Sequence, residues 1–464
     1  MKHLATSALA LATSALALTA TPVGAQDVAI TNATLATGDG SAPIEGATVI
    51  IRDGKVTAAG SGVSVPAGMQ AIDGTGLWVT PGIFSAMTTL GLWDVGAVSE
   101  SNDQAGGSSP FSAALDVAPA LNPASQHVLV SRAAGVTRAS IYSRPSSSIF
   151  GGQGAVVDLG ADPDMVVRPR AFQLVALGES GARIAGGSRT ASHALLRNAL
   201  REARQYGTDA RIPGRPVRPA ERTTGDDIPL DPRLVDDRTE RGDDALLTRF
   251  DAAALVPVVR GTQPLYVEVE RAADILQVLA LRTEFPQLDL VLVGVSEGWL
   301  VADRIAAAGV PVIADALDDL PERFEQVAAT QSNVGRMVAA GVKVAIGNLG
   351  GSTGDQPRLA PQYAGNLVAL SRVPGASGLT WGQAFATISS IPAEIAGFGG
   401  RLGVLAPGAA GDLVLWDGDP LEVSSAVTRV FIDGVEQPRD NHQTRLRERY
   451  RDLDESDLPK AYDW

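Results

Sequence analysis

The chain contains no cysteine and only four histidines among its 464 residues. The first absence excludes disulfides, thiolate metal sites and a cysteine nucleophile together. The second leaves only His127, His193 and His442 beyond the first 25 residues. No phosphate-binding loop, dinucleotide fingerprint or zinc-finger spacing occurs. These absences exclude several common kinds of functional site.

Basic residues are outnumbered by acidic ones, so the formal net charge is −14 at pH 7. Nucleic acids and anionic membranes both bind basic patches, so we expect neither as a partner. The sign of the charge does not identify a substrate.

Residues 1–25 have the features of a secretory signal peptide. Lys2 supplies the positive end, an Ala- and Leu-rich run follows, and Val23-Gly24-Ala25 offers the small residues that a signal peptidase requires. A retained anchor helix is the alternative, but a membrane span needs about 20 continuous apolar residues and Thr and Ser interrupt this run. We therefore expect a periplasmic or secreted protein that has no membrane attachment after cleavage.

The rest of the chain shows two kinds of pattern. Residues 26–80 and 401–436 carry short alternating strands separated by turn signals, with a tight hairpin at Asp53-Gly54-Lys55. Residues 81–400 instead alternate strands with helical stretches, which is typical of βαβ units in a parallel sheet. We predict an α/β fold: a (β/α)₈ TIM-like barrel with a small composite β-sandwich domain that both chain ends form.

Two segments fit neither pattern. Residues 207–244 are rich in Arg, Asp and Pro, which predicts a polar surface excursion, with partner binding as the alternative. Residues 437–464 are charged and predict a helical C-terminal arm. Within the barrel region the apolar spacing predicts single helices from Glu297 to Ala308 and from Thr380 to Ala396.

Several motifs resemble the amidohydrolase superfamily. Gly76 to Leu90, with its Pro81-Gly82, is similar to that family's first barrel strand, and the run from Gly403 to Leu415 is similar to its closing β segment. The region from Asn122 to Gly154 resembles the imidazolonepropionase-like exported subgroup. The resemblance implies a barrel mouth that holds zinc or another divalent metal, which activates water to hydrolyse amide, cyclic amide or small peptide-like C–N bonds.

The ligand positions that this resemblance implies carry other residues. Where the family has an Asp and then a His-x-His pair, this chain has Ser85, Met87 and Thr89. Side chains two apart on a strand point to one side, so two imidazoles would converge there on one ion. A thioether and a hydroxyl do not replace them on a borderline dication. Val293-Gly294-Val295 stands where another His is expected, and Asn348 stands in place of a later Asp.

Glu268 and Glu270 occupy the positions of the second His-x-His pair. The strand period sends both carboxylates to one side, and the resemblance places them at the barrel mouth. Such a pair divides acid and base roles or holds a hard cation; an ion pair with a nearby Arg is the alternative. We predict a vacated pocket with no metal ligands and no cofactor, lined by Met87, Thr89, Glu268, Glu270 and Asn348.

Gly294-Val-Ser-Glu-Gly298 matches the Gly-x-Ser-x-Gly elbow of serine hydrolases and lies between a predicted strand and a predicted helix. A serine nucleophile needs a base within reach, and His442 in the charged tail is the only downstream histidine. Capping of the following helix by Ser296 is the other interpretation. His127 and His193 lie in helix-like stretches, where we expect capping or surface roles rather than metal ligation.

Two classes of function stay open on the sequence. One is a pseudo-hydrolase without its metal, which forms a homodimer, pairs with an active relative or holds a small-molecule ligand in the mouth. The other is an enzyme with a rebuilt site that uses Glu268 and Glu270, or Ser296.

We predict that the mature protein begins at Gln26, because signal peptidases cleave after small residues such as those at 23–25. Intact-mass measurement of the exported protein checks this start. A retained Met1 would contradict the prediction.

Overall fold

The computed structural model describes residues 24–209, 246–347 and 356–451. Most of the signal segment, most of the predicted 207–244 excursion, the end of the C-terminal arm and Asn348 lie outside the described residues. The predictions on those segments therefore remain predictions.

The described strands fall into two sheets. In chain order they are β1 (Val28–Leu35), β2 (Ile44–Arg52), β3 (Lys55–Gly60), β4 (Gln70–Asp73), β5 (Trp78–Pro81), β6 (Ile83–Thr88), β7 (Val136–Ile141), β8 (Phe150–Asp158), β9 (Val166–Ala176), β10 (Leu265–Val269), β11 (Leu290–Gly294), β12 (Val312–Ala314), β13 (Val344–Ile346), β14 (Leu413–Trp416), β15 (Val427–Ile432) and β16 (Val435–Glu436).

The described α-helices mostly follow barrel strands. They are α1 (Gln126–Ala133), α2 (Gly178–Ile184), α3 (Arg189–Asp209), α4 (Arg249–Val259), α5 (Ala272–Glu284), α6 (Ala302–Ala308), α7 (Asn333–Ala339), α8 (Ala360–Leu370), α9 (Trp381–Ala386), α10 (Ser390–Ile395) and α11 (His442–Arg449). Short 3₁₀ helices occur at Ser99–Ser101, Ala118–Ala120, Gly298–Val301, Phe324–Gln326 and Pro357–Leu359. Within these ranges no helix combines the length and the apolarity that crossing a bilayer requires.

Both chain ends contribute to one eight-stranded sheet, in the order β16-β15-β14-β5-β1-β2-β3 with β4 beside β1. The two halves meet where β14 pairs antiparallel with β5, which places Leu413 opposite Pro81. β2 and β3 form the predicted hairpin. Asp53 and Gly54 in its turn have φ angles of 47° and 74°, as a two-residue type I′ turn requires. The composite β domain is confirmed, and its strands form a single hydrogen-bonded sheet.

The second sheet is the nearly closed barrel, in which β6 to β13 follow one another in chain order. β8 runs antiparallel to both of its neighbours, whereas the other strands run parallel. Parallel neighbours need a crossover of about a dozen residues or more. The chain supplies only residues 142–149 before β8 and residues 159–165 after it. The TIM-like barrel is thus confirmed, with one strand reversed because its connections are short.

Backbone between α9 and α10 bridges the first and last barrel strands. The N–H of Ile346 on β13 donates to Thr387 O at 3.1 Å, and the N–H of Phe84 on β6 donates to Ile388 O at 2.9 Å. The prediction of one helix from Thr380 to Ala396 is wrong, because these bridging residues separate two helices. The predicted helix that starts at Glu297 begins instead as a 3₁₀ turn.

Side chains of the barrel strands alternate between two apolar clusters. Val267 and Leu292 pack outward in the largest cluster, which includes helix residues. Tyr266 and Met87 belong to a separate cluster inside the barrel. Because Glu268 shares the register of Tyr266, its carboxyl lies above this apolar floor, toward the carboxyl ends of the strands.

One buried charge network connects the barrel to the β domain. Arg138 on β7 donates from Nε and Nη2 to the carboxylate of Asp412, which precedes β14, at 2.7 and 3.0 Å. Asp158 and Asp433 also lie within 3.6 and 2.7 Å of the guanidinium. Arg138 is 4% exposed and Asp412 is 2% exposed, so solvent screens their attraction little.

We expect Arg138→Met to lower the free energy of unfolding by about 3–5 kcal/mol, because Asp412 would stay buried without its partner. The control is Arg170→Met, since the Arg170 side chain is 66% exposed in its ion pair with Asp116. An exposed pair contributes about 0–1 kcal/mol. Urea-induced unfolding measures both variants, and equal losses would contradict the account.

Candidate functional site at the barrel mouth

A cavity of about 400 Å³ opens at the carboxyl ends of the barrel strands. Small-molecule sites commonly have this size. The structure brings together here three residues of the predicted pocket, namely Met87, Glu268 and Glu270. The ionisable groups of the lining are five carboxyls and three guanidiniums: Glu268, Glu270, Asp315, Asp318, Glu322, Arg144, Arg183 and Arg323.

The other predicted pocket residues are placed differently. Thr89 is fully buried just after β6, where its hydroxyl accepts from Gln104 Nε2 at 3.2 Å, and it does not line the cavity. Ser85 is buried on β6. Asn348 lies outside the described residues.

Ser296 is the centre of a buried hydrogen-bond cluster beside the cavity. Glu270 Oε2 accepts from the backbone N–H of Ser296 at 2.9 Å and lies 2.7 Å from its Oγ. The same Oγ lies 2.9 Å from Asp318 Oδ2 and accepts from Gln326 Nε2 at 3.2 Å. A hydroxyl carries one proton, so it donates to only one of the two carboxyls. The other contact is a hydrogen bond only if that carboxyl holds a proton of its own.

Burial decides where this proton resides. It raises the pKa of Glu270 to about 8, although the two hydrogen bonds from Ser296 lower it, and the charges of Glu268 and Asp318 raise it further. Burial also raises the pKa of Asp318, against the hydrogen bond from Ser296. A pKa of about 8 corresponds to a mostly protonated Glu270 at pH 7, which agrees with the hydrogen-bond count.

The turn after β11 is shaped to admit the Glu270 carboxyl. Gly294 has a φ of +90°, and a Cβ there would lie 2.4 Å from Glu270 Oε1. Val295 follows with a φ of 60°, which is rare for a β-branched residue. Strain of this kind costs about 1–3 kcal/mol and concentrates at functional sites. In the sequence this turn was marked by Val293-Gly294-Val295 at a strand end and by the Gly-x-Ser-x-Gly match that begins at Gly294.

Ser296 is not arranged as a serine nucleophile. The residue is 1% exposed, and its Oγ contacts two carboxyls and an amide rather than a histidine. The interpretation of Ser296 as a helix cap is wrong, because the 3₁₀ turn that follows has no side-chain cap. His127 and His193 lie in helices, as expected, and the ring of His127 stacks on Trp93 at 3.8 Å.

Apart from one hydrogen bond, Glu268 interacts mainly with charges that it does not contact. It accepts from Ser180 Oγ at 3.4 Å. Burial raises its pKa, and the guanidiniums of Arg323 and Arg144 oppose that shift. Among the residues that the structure describes, neither Glu268 nor Glu270 forms a direct ion pair with an arginine, which was the alternative interpretation of the pair.

These residues do not fit the metal that the resemblance implies. Zinc takes tetrahedral sets of nitrogen, sulfur or carboxylate ligands. Within residues 24–209, 246–347 and 356–451, no group of three or more His, Asp or Glu side chains is arranged to hold an ion. Met87 packs in the apolar cluster, and Ser296 engages Glu270 Oε2.

We expect the stability of the native chain to fall, relative to Glu270→Gln, as the pH rises from about 4.5 to about 8. The unfolded chain releases this proton near the ordinary value of 4.5, whereas the folded chain keeps it up to about 8. The unfolded state thus binds fewer protons throughout the window, and stability then decreases with pH. Gln keeps an acceptor for Ser296 without titrating.

Urea unfolding of both proteins at several pH values in this window measures the difference. Parallel pH profiles would contradict a neutral Glu270.

Comparison with known proteins gives a family match for part of the chain and a fold likeness for most of it. Residues 292–436 match the model of the amidohydrolase family. The fold is similar to the crystal structure of an amidohydrolase from Thermotoga maritima MSB8, with a TM-score of 0.71 and 23% identity over 89% of this chain and 100% of that one. The amidohydrolase tasK of Hapsidospora irregularis is 43% identical over 60 residues, which are 13% of this chain and 6% of that protein. By the match over residues 292–436 and by its fold, the chain resembles the amidohydrolase superfamily.

Proposed function

We propose that this chain is an exported pseudo-hydrolase, which binds a small molecule at the barrel mouth and does not hydrolyse C–N bonds with a metal. The observation that carries the proposal is the set of donors at the mouth. Met87 and Val293 are apolar and lie in the cluster inside the barrel, and Thr89 is bonded to Gln104 away from the cavity. The remaining carboxyls do not complete a zinc site.

Export and assembly belong to the same proposal. The composition of residues 1–25 supports secretion. Assembly as a homodimer, or with an active relative, follows from the chemistry, because a barrel without metal ligands acts by binding. The cavity and its apolar floor supply the ligand site.

A rebuilt hydrolase is the second candidate, and the protonated Glu270 favours it. Two carboxyls with different protonation in one cavity are able to act as acid and base. Glu268 lies beside Glu270 in the lining. The two hydrogen bonds between Ser296 and Glu270 argue for the first candidate, because they tie the Glu270 carboxyl to the turn after β11.

We predict less than stoichiometric zinc in the purified mature protein, and no chelator-sensitive hydrolysis of amide, dipeptide or lactam substrates. Elemental analysis and an activity screen with and without chelator measure this. The matched control is the double variant Glu268→Gln with Glu270→Gln. Stoichiometric zinc, or hydrolysis that the double variant loses, would show a rebuilt enzyme.

A further inference from the structure

The charges along the cavity are unevenly distributed. Arg144 and Arg323 act on Glu268, and Arg323 also acts on Asp318, whereas the charges that act most on Glu270 are both acids, Glu268 and Asp318. Among the described lining residues the carboxyls outnumber the guanidiniums by two. We call the part of the cavity wall formed by Glu270, Asp318 and Gln326, all of which contact Ser296, the acidic end.

Gln326 supplies a hydrogen-bond acceptor that lacks a donor. The residue is 6% exposed and lines the cavity. Its Nε2 donates to Ser296 Oγ at 3.2 Å, whereas its Oε1 has no partner in the part of the chain that the structure describes. A buried carbonyl oxygen without a donor is costly. A ligand N–H directed at Oε1 would satisfy it.

The acceptors and the lining together select one kind of cation. An ammonium group has three N–H donors and no acceptor, which complements two carboxyls and an amide oxygen. A metal ion is a poorer match, because the acids of the described cavity do not form a metal-binding group. Met87, Leu174 and Val293 line the same cavity, so apolar surface is available to a short alkyl chain.

We propose that the acidic end binds the ammonium group of a small aliphatic primary amine, with Glu270, Asp318 and Gln326 Oε1 accepting its N–H bonds. The alkyl chain lies against the apolar lining. This inference rests on the proposed function, because it names the ligand class of the same cavity.

Calorimetric titration of the purified full-length mature protein with n-butylamine tests the proposal, and n-butanol is the uncharged comparison. We expect saturable binding of the amine at one site and no binding of the alcohol. Glu270→Leu and Gln326→Leu each remove an acceptor for a charged donor, and Asp318→Asn removes a negative charge, so each should weaken amine binding by about tenfold or more. Circular dichroism establishes that each variant is folded.

Asp319→Asn is the matched control, since Asp319 is exposed beside Asp318 and loses the same charge. It should bind n-butylamine as the native protein does. Absence of amine binding, equal binding of n-butanol, or displacement of the amine by calcium chloride alone would overturn the proposal. The zinc and hydrolysis measurements test the proposed function separately, so a zinc-free, inactive protein that fails to bind the amine refutes only this inference.

Discussion

The buried guanidinium of Arg138 is the contact on which the geometry of the mouth depends. It joins β7 of the barrel to Asp412, and the backbone N–H of Gly82 donates to Asp412 O at 3.1 Å. Gly82 alone separates β5 of the β domain from β6 of the barrel. A Cβ at Gly82 would lie 2.0 Å from Thr137 Oγ1, so the junction requires glycine. The strand that carries Met87 is thereby fixed by both domains at once.

The mouth that this frame supports carries Glu268 and Glu270 where the resemblance implies imidazoles. A carboxyl buried without a cation resists ionisation, and Glu270 is in that position. Ser296 bonds Glu270 through both its backbone N–H and its hydroxyl. The strained backbone conformation of Val295, with a φ of 60°, directs the N–H and the hydroxyl of Ser296 toward Glu270. The site is therefore built to hold a protonated acid in one orientation, which suits recognition of a ligand better than ligation of a metal.

Periodicity in the sequence predicts much of the fold. It does not predict the direction of individual strands or the contacts that close the barrel. The apolar run within residues 154–159 predicts a buried strand without showing which way it runs, because only the short connections on either side of β8 require an antiparallel strand. The bridge at Thr387–Ile388 interrupts a helical pattern, because its carbonyls pair with two strands distant in sequence. Hydrogen bonds between residues that are distant in sequence leave no pattern in the local sequence.

The candidate site was likewise predictable from the sequence only in part. The strand period places Glu268 and Glu270 on one side of β10, and the structure has both lining the cavity. Asp318 and Gln326 come from an irregular segment after β12, where no pattern connects them to Ser296. Tertiary packing alone brings these acids, the amide and the hydroxyl together, so sequence reasoning identified Ser296 only through a motif for different chemistry.

We propose that the barrel mouth no longer forms a zinc site. Anomalous diffraction at the zinc absorption edge, from crystals of the mature protein soaked with zinc chloride, tests it most directly. The account predicts no ordered zinc at the mouth. An ordered zinc ion within about 2.0–2.2 Å of a Glu268 or Glu270 oxygen, the usual length of a zinc–carboxylate bond, would contradict it.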